Sequence, residues 1–137
     1  MLQIRSSATL LAVISPRPGE RPVPPLAAAW VLARVTGPSM SPTVRHGDRL
    51  LVRRVRPGRV AVGDVVLARF PSRPDLLVVK RVHRLLAGGA VDVRGDNPLV
   101  TDDSRAYGPA VAVGRVVVRL RPRPGRLGPP PPDPGVP

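Results

Sequence analysis

The sequence predicts an all-β fold, a small and partly closed antiparallel β-barrel. Three observations carry that expectation. Its apolar runs are short and rich in Val and Leu, which suits strands on a pleated, half-buried surface. Turn signals separate those runs at 46–48, Pro57-Gly58, Gly63-Asp64, 71–74, Gly88-Gly89 and 95–98. No stretch sustains a 3.6-residue apolar period, although 26–34 has room for one or two helical turns.

The strands follow in order. Residues 49–55 read R-L-L-V-R-R-V, residues 64–70 D-V-V-L-A-R-F, and residues 76–82 L-L-V-V-K-R-V. Residues 91–94 and 113–120 continue the series. A Gly-Asp pair opens the first two runs, as in successive strands entered from similar turns. Evenly spaced short strands of this kind close most naturally into a barrel-like sheet.

Proline marks the boundaries. Of 20 prolines, five fall in residues 16–25 and eight in residues 122–137. The expected organisation is an N-terminal arm over 1–25, one compact domain over 26–121, and a Pro-rich, disordered tail over 122–137. Arg5, the apolar run 8–14 and the small residues 27–29 trace the outline of a secretory signal, but prolines intervene and the apolar core is short. No run reaches the roughly 18–20 apolar residues of a membrane span. The expected location is therefore cytoplasmic or peripheral to a membrane.

Composition then narrows the chemistry. The chain has 137 residues, 42% of them hydrophobic, which suffices for one packed domain. Cysteine is absent, so disulfides, thiolate-bound metals and thiol nucleophiles are excluded. Two histidines, His46 and His83, are too few for a His-rich metal cage, and surface or hydrogen-bonding roles suit them. No metal and no cofactor is expected. Of the 22 basic residues, only Lys80 is lysine. Arginine stays protonated, whereas a desolvated lysine loses its proton readily and can act as a base.

Two further segments give Lys80 a context. Residues 36–43 read T-G-P-S-M-S-P-T, a tight turn that holds Ser39 rigidly with backbone N–H groups nearby. That is what an acyl-transfer nucleophile and its oxyanion hole require, although an ordinary turn has the same composition. Lys80 ends the apolar run 76–79, where burial would lower its pKa. An edge-strand lysine reaching solvent is the plain alternative. Residues 95–108, G-D-N-P-L-V-T-D-D-S-R-A-Y-G, form either a solvated loop or a cover over the site. In the second case Thr101 orients Lys80, and Asp103 and Arg105 pair to fix the loop.

Taken together, 37–43, H-G-D-R-L-L-V at 46–52, G-D-V-V-L at 63–67, V-V-K-R at 78–81 and G-D-N-P-L-V-T-D-D-S-R at 95–105 resemble the ordered boxes of type I signal peptidases. The resemblance covers about residues 36–120. It implies an antiparallel β fold and a serine endopeptidase that removes a leader or propeptide from a precursor protein. Ser39 then matches the nucleophile, Lys80 the general base, and Thr101 the hydroxyl that supports the lysine. Asp103 and Arg105 match the structural ion pair, within a loop that includes Asp96 and Asn97. Gly37 falls where some members place an oxyanion-assisting serine, so the donors here are backbone N–H groups. Small residues before the cut imply shallow apolar pockets, with Met40 and Val79 as lining. The family's usual membrane anchor and large inserted domain are not seen. In this the chain is similar to a compact branch, the maturation proteases of nickel-type superoxide dismutase.

Two other readings remain at this point. A repressor-type self-cleaving peptidase shares the Ser–Lys chemistry, but the 38 residues before Ser39 are too proline-broken for a helix-turn-helix. A basic nucleic-acid-binding module would use the net charge of +13, yet Trp30, Phe70 and Tyr107 are the only stacking aromatics. The arginines are spread rather than clustered, so no specific nucleic acid is expected. Peripheral contact with anionic lipid is what such a basic surface offers.

Overall fold

The computed structural model describes residues 3–6 and 29–132. The secretory-signal outline at 8–14 and 27–28, the prolines of 16–25 and the last five residues lie outside the described residues.

Seven strands form one antiparallel sheet. They are β1 (Gln3–Ser6), β2 (Trp30–Thr36), β3 (Arg49–Arg54), β4 (Val65–Phe70), β5 (Arg73–Leu85), β6 (Val91–Arg94) and β7 (Val111–Arg121). The order across the sheet is β1-β2-β3-β7-β4-β5-β6. The one α-helix among the described residues is a single turn, α1 (Ser104–Tyr107). The sheet is curled but not closed, as the predicted fold class requires. The stretch 26–34, with room for one or two helical turns, is strand from Trp30 on: Val31, Ala33 and Val35 alternate inward while Trp30, Leu32 and Arg34 are more exposed, and every residue from Trp30 to Arg34 pairs with β3. The period is 2, which the preceding prolines obscured.

Curling produces two cores, one on each face of β4 and β5. Val31, Ala33, Val35, Leu50, Val52, Val65, Leu67 and Val79 pack with Met40 and Val44 in the first. Val66, Ala68, Phe70, Leu76, Val78, Val82, Val91 and Val93 pack in the second. Because β4 is buried on both sides, it reads as a continuous apolar run rather than an alternating one. Phe70 is the largest side chain of the second core and meets Tyr107 of α1 with ring centroids 5.2 Å apart. That contact docks the helical turn, and with it the polar loop 95–103, onto the sheet.

Strand β7 is tightly packed at Gly114, between β3 and β4. A Cβ there would lie 2.5 Å from Val52 Cγ1 and 3.3 Å from Arg53 O. Val52 is a stiff, fully buried β-branched residue and cannot swing away. Gly114→Ala is therefore expected to destabilise the fold by about 1–3 kcal/mol, read as a lower denaturant midpoint.

After β7 the chain turns back. Arg119 and Gly125 exchange backbone hydrogen bonds of 2.8 and 2.9 Å, and Leu127 packs against the first core. Residues 128–132 then run beside Gly63 and Arg81.

Candidate active site

Ser39 sits on the loop between β2 and β3. Gly37 begins that loop with φ 91°, a conformation glycine adopts without strain. Its N–H donates to His46 Nδ1 at 3.0 Å, which ties the start of the loop to its end. Ser41 N donates to Pro38 O and Val44 N to Met40 O, both at 3.0 Å, so residues 38–44 are two interlocked turns. Met40 and Val44 point down into the first core and are fully buried. Ser39 is fully buried as well, and its Oγ has no hydrogen-bond partner.

Lys80 lies on β5 opposite Val66 of β4, on the same face as Val78 and Val82. All three valines belong to the second core. The amine is fully buried, and Nζ has no hydrogen-bond partner. Burial lowers its pKa from 10.5 to about 8, against the pull of Asp103 and Asp102 and with help from Arg105. An orphaned buried hydroxyl and an orphaned buried amine are costly, and such groups call for an explanation.

The loop after β6 adjoins both. Gly95 is in van der Waals contact with the Ser39 backbone: an added Cβ would lie 2.5 Å from Ser39 O. The same carbonyl accepts from Asn97 N at 2.9 Å, while Asn97 Nδ2 donates to Pro38 O at 3.0 Å. Asp96 accepts from Thr43 Oγ1 at 2.6 Å and from Arg81 Nη2 at 2.8 Å, and its N–H reaches Met40 Sδ at 3.4 Å. Arg81 follows Lys80 directly and also donates to Gly63 O at 2.8 Å. The Arg81–Asp96 pair thus clamps the serine loop to the lysine strand.

Asp103 completes the frame. It is fully buried and accepts from Gly95 N (3.1 Å) and from Arg105 N (3.1 Å), Nε (2.9 Å) and Nη2 (2.7 Å). Burial alone would raise its pKa, but the Arg105 guanidinium and the two N–H groups hold the carboxyl below its ordinary value. Arg105 rises in turn, chiefly through Asp103. This two-pronged pairing directs the carboxylate to Arg105; Asp103 and Asp102 still favour the charged Lys80, but burial outweighs them.

Ser39, Asp96, Asn97, Asp103 and Arg105 are therefore joined by direct contacts, and Lys80 is reached electrostatically through Asp103. Thr101 is exposed, and no hydrogen bond joins its hydroxyl to Lys80 Nζ. The turn closed by Val100 N and Asn97 O carries that stretch outward. Gly37 spends its N–H on His46, whereas nothing described accepts from Ser39 N. Met40 and Val79 are both buried in the first core, Val79 on the face of β5 opposite Lys80. Sequence reasoning missed the Arg81–Asp96 clamp and the role of His46. The first had a signal in the K-R pair at 80–81; the second had none, because a turn histidine carries no pattern.

Ser39 and Lys80 are thus a buried hydroxyl and a buried amine held by one frame of strands and loops. The chain belongs to the signal peptidase family, peptidase S26, whose pattern matches residues 25–106. Among relatives, it is 32% identical over 111 residues to the mitochondrial inner membrane protease subunit 1 of Xenopus tropicalis, covering 64% of this chain and 66% of that one. It is 33% identical over 115 residues to the mitochondrial ATP-independent inner membrane protease subunit 1a of Arabidopsis thaliana, covering 64% and 68%. The human subunit 1 is 29% identical over 111 residues, covering 64% and 67%. The chain thus spans about two thirds of the length of the curated relatives it matches. By family it is a peptidase of the signal peptidase type.

Proposed function

We propose that Ser39 and Lys80 form the catalytic dyad of this peptidase. Ser39 Oγ attacks the scissile carbonyl while neutral Lys80 Nζ takes its proton. The Ser39 N–H stabilises the oxyanion, and Gly37 gives that turn its shape. Lys80 then returns the proton to the leaving amine, and water hydrolyses the acyl-enzyme by the reverse route. Asp103 and Arg105 position the loop, with Asp96 and Asn97 bracing the nucleophile turn. Thr101 is assigned the supporting hydroxyl by its place in the family pattern.

The single observation that carries this reading is the pair of buried, unpartnered polar atoms, Ser39 Oγ and Lys80 Nζ, on two sides of one clamped loop. Neither group contributes to the fold in that state, and each is what proton transfer at a carbonyl needs. The sheet supplies a path to the pair. Strand β5 pairs with β6 only from Arg81 onward, so among the described strands the edge over 76–80 is hydrogen-bonded on its β4 side alone. An extended leader peptide can add to that edge with its last residues beside Lys80. Buried Met40 and Val79 form an apolar floor there, which favours small side chains before the cut.

The specific substrate proposed is a propeptide-bearing precursor, with that of nickel-type superoxide dismutase as the first case. The test is a panel of leader-bearing precursors incubated with the parent chain, Ser39→Ala and Lys80→Arg. Cleavage by the parent alone is the expected result, since general-base loss costs about 10²–10⁴-fold. Cleavage by Ser39→Ala at the parental rate would remove the nucleophile from the account.

A further inference from the structure

Beyond Lys80 the surroundings change character. Strand β5 is apolar up to the amine, from Leu76 to Val79, and charged after it, with Arg81, His83 and Arg84. Pairing changes at the same place, because β6 joins β5 at Arg81. A peptide that pairs with β5 over 76–80 meets β6 there and cannot continue as a strand. It has to leave the sheet one or two residues past Lys80.

A cleft of about 570 Å³ lies where such a peptide would go. Pro42, Gly95 and Pro98 line its side towards Ser39, and Arg81 and His83 line its side towards β5. The third wall is the chain's own Pro130–Pro132. These prolines are held in place from behind by Leu127 in the first core and by Arg81 Nη2, which donates to Gly128 O at 3.2 Å. They lie beyond residues 25–106, the part that matches the family. A run of prolines is stiff and has no N–H to offer, so it confines a peptide without pairing to it.

The cleft also has a polarity. Arg81 is taken up by Asp96, and Arg105 by Asp103. Arg94 is held more loosely: Asp92 Oδ1 lies 3.6 Å from its Nε with no hydrogen bond between them, and 38% of its side chain is exposed in the cleft wall. A carboxylate entering the cleft meets the exposed end of that guanidinium.

We propose that this cleft seats the mature side of the precursor, the residues just after the scissile bond, and that Pro130–Pro132 and Arg94 make it selective for an extended segment bearing an Asp or Glu. The inference rests on the Ser39–Lys80 reading, since it fixes where the bond is cut.

The experiment uses three synthetic peptides identical up to the cut. One ends a single residue after it, one continues with alanines, and one continues with alanines and a glutamate at the second or third position. The parent chain should cleave the glutamate peptide with a kcat/KM about fivefold above the alanine peptide, the size expected of a partly exposed ion pair. Arg94→Gln should bring that ratio to about one. Replacing Pro130–Pro132 together by glycine should lower the ratio of extended to short peptide. Equal kcat/KM for all three peptides with the parent chain would overturn the inference while leaving the peptidase reading intact. So would faster cleavage of the short peptide by the glycine variant, which would make the segment a block on the site. Absence of any cleavage by the parent would overturn the dyad reading and this inference with it.

Discussion

The Lys80→Met variant is expected to lose peptidase activity by about 10²–10⁴-fold and yet to be more stable than the parent chain. The two effects share one cause. The amine is fully buried and unpartnered, and its pKa falls from 10.5 to about 8 because the surroundings disfavour the charge. That shift corresponds to a stability penalty of about 3 kcal/mol at neutral pH, present because the folded chain must carry or shed a proton that the unfolded chain keeps. Methionine fills a similar volume without a charge and removes the penalty.

The sign with pH follows. Below about pH 8 both folded and unfolded chains hold the proton, and the folded state bears the full cost. Between about 8 and 10.5 the unfolded chain binds more protons, so stability of the parent rises with pH through this window. The advantage of Lys80→Met should accordingly be largest at pH 7 and shrink towards pH 10.5. Denaturant titrations of both chains at pH 7 and pH 10 check this, and an equal advantage at both would show that the amine is not desolvated. Activity moves the same way, because only the neutral amine accepts the serine proton. The kcat/KM of the parent should climb with pH up to about 8 and then level.

Gly95→Ala should damage activity nearly as much, through geometry alone. The added Cβ would stand 2.5 Å from Ser39 O and 3.3 Å from Ser39 C. Both are backbone atoms, and Ser39 O is held by Asn97 N, so no flexible side chain absorbs the clash. Either the serine turn or the loop 95–103 must shift, and the second carries the Asp103 and Asp96 contacts with it. A displacement of about 1 Å at a nucleophile costs on the order of 10²-fold in rate. The overpacking itself costs about 1–3 kcal/mol in stability. Far-ultraviolet circular dichroism should stay parental while peptidase activity falls. Parental activity in this variant would mean that the loop does not hold the serine.

The strands were largely legible because their chemistry is local. Residues 49–55, 64–70 and 91–94 lie within a residue of β3, β4 and β6, each bounded by turn formers. Strand β5 runs longer than 76–82, since its charged ends after His83 pair with β6 and carry no apolar signal of their own. Strand β2 was obscured by the prolines ahead of it. The order β3-β7-β4 lay out of reach, because it joins strands far apart in the sequence through backbone bonds that no side chain announces. At the site, Lys80 stood out by being the chain's only lysine and Ser39 by its rigid turn. Their burial and lack of partners depend on how two cores close around them, and Gly95 matters only because a distant backbone comes to rest on it.

That same uniqueness gives the most direct measurement. With lysine as the sole isotope-labelled residue, the side-chain resonances report Lys80 and nothing else. Followed by NMR from pH 6 to 12 on the folded chain, they should titrate with a midpoint of about 8. A midpoint near the ordinary 10.5 would make the neutral amine at least about a hundredfold scarcer at neutral pH than a midpoint of about 8 does, and would contradict its role as the base.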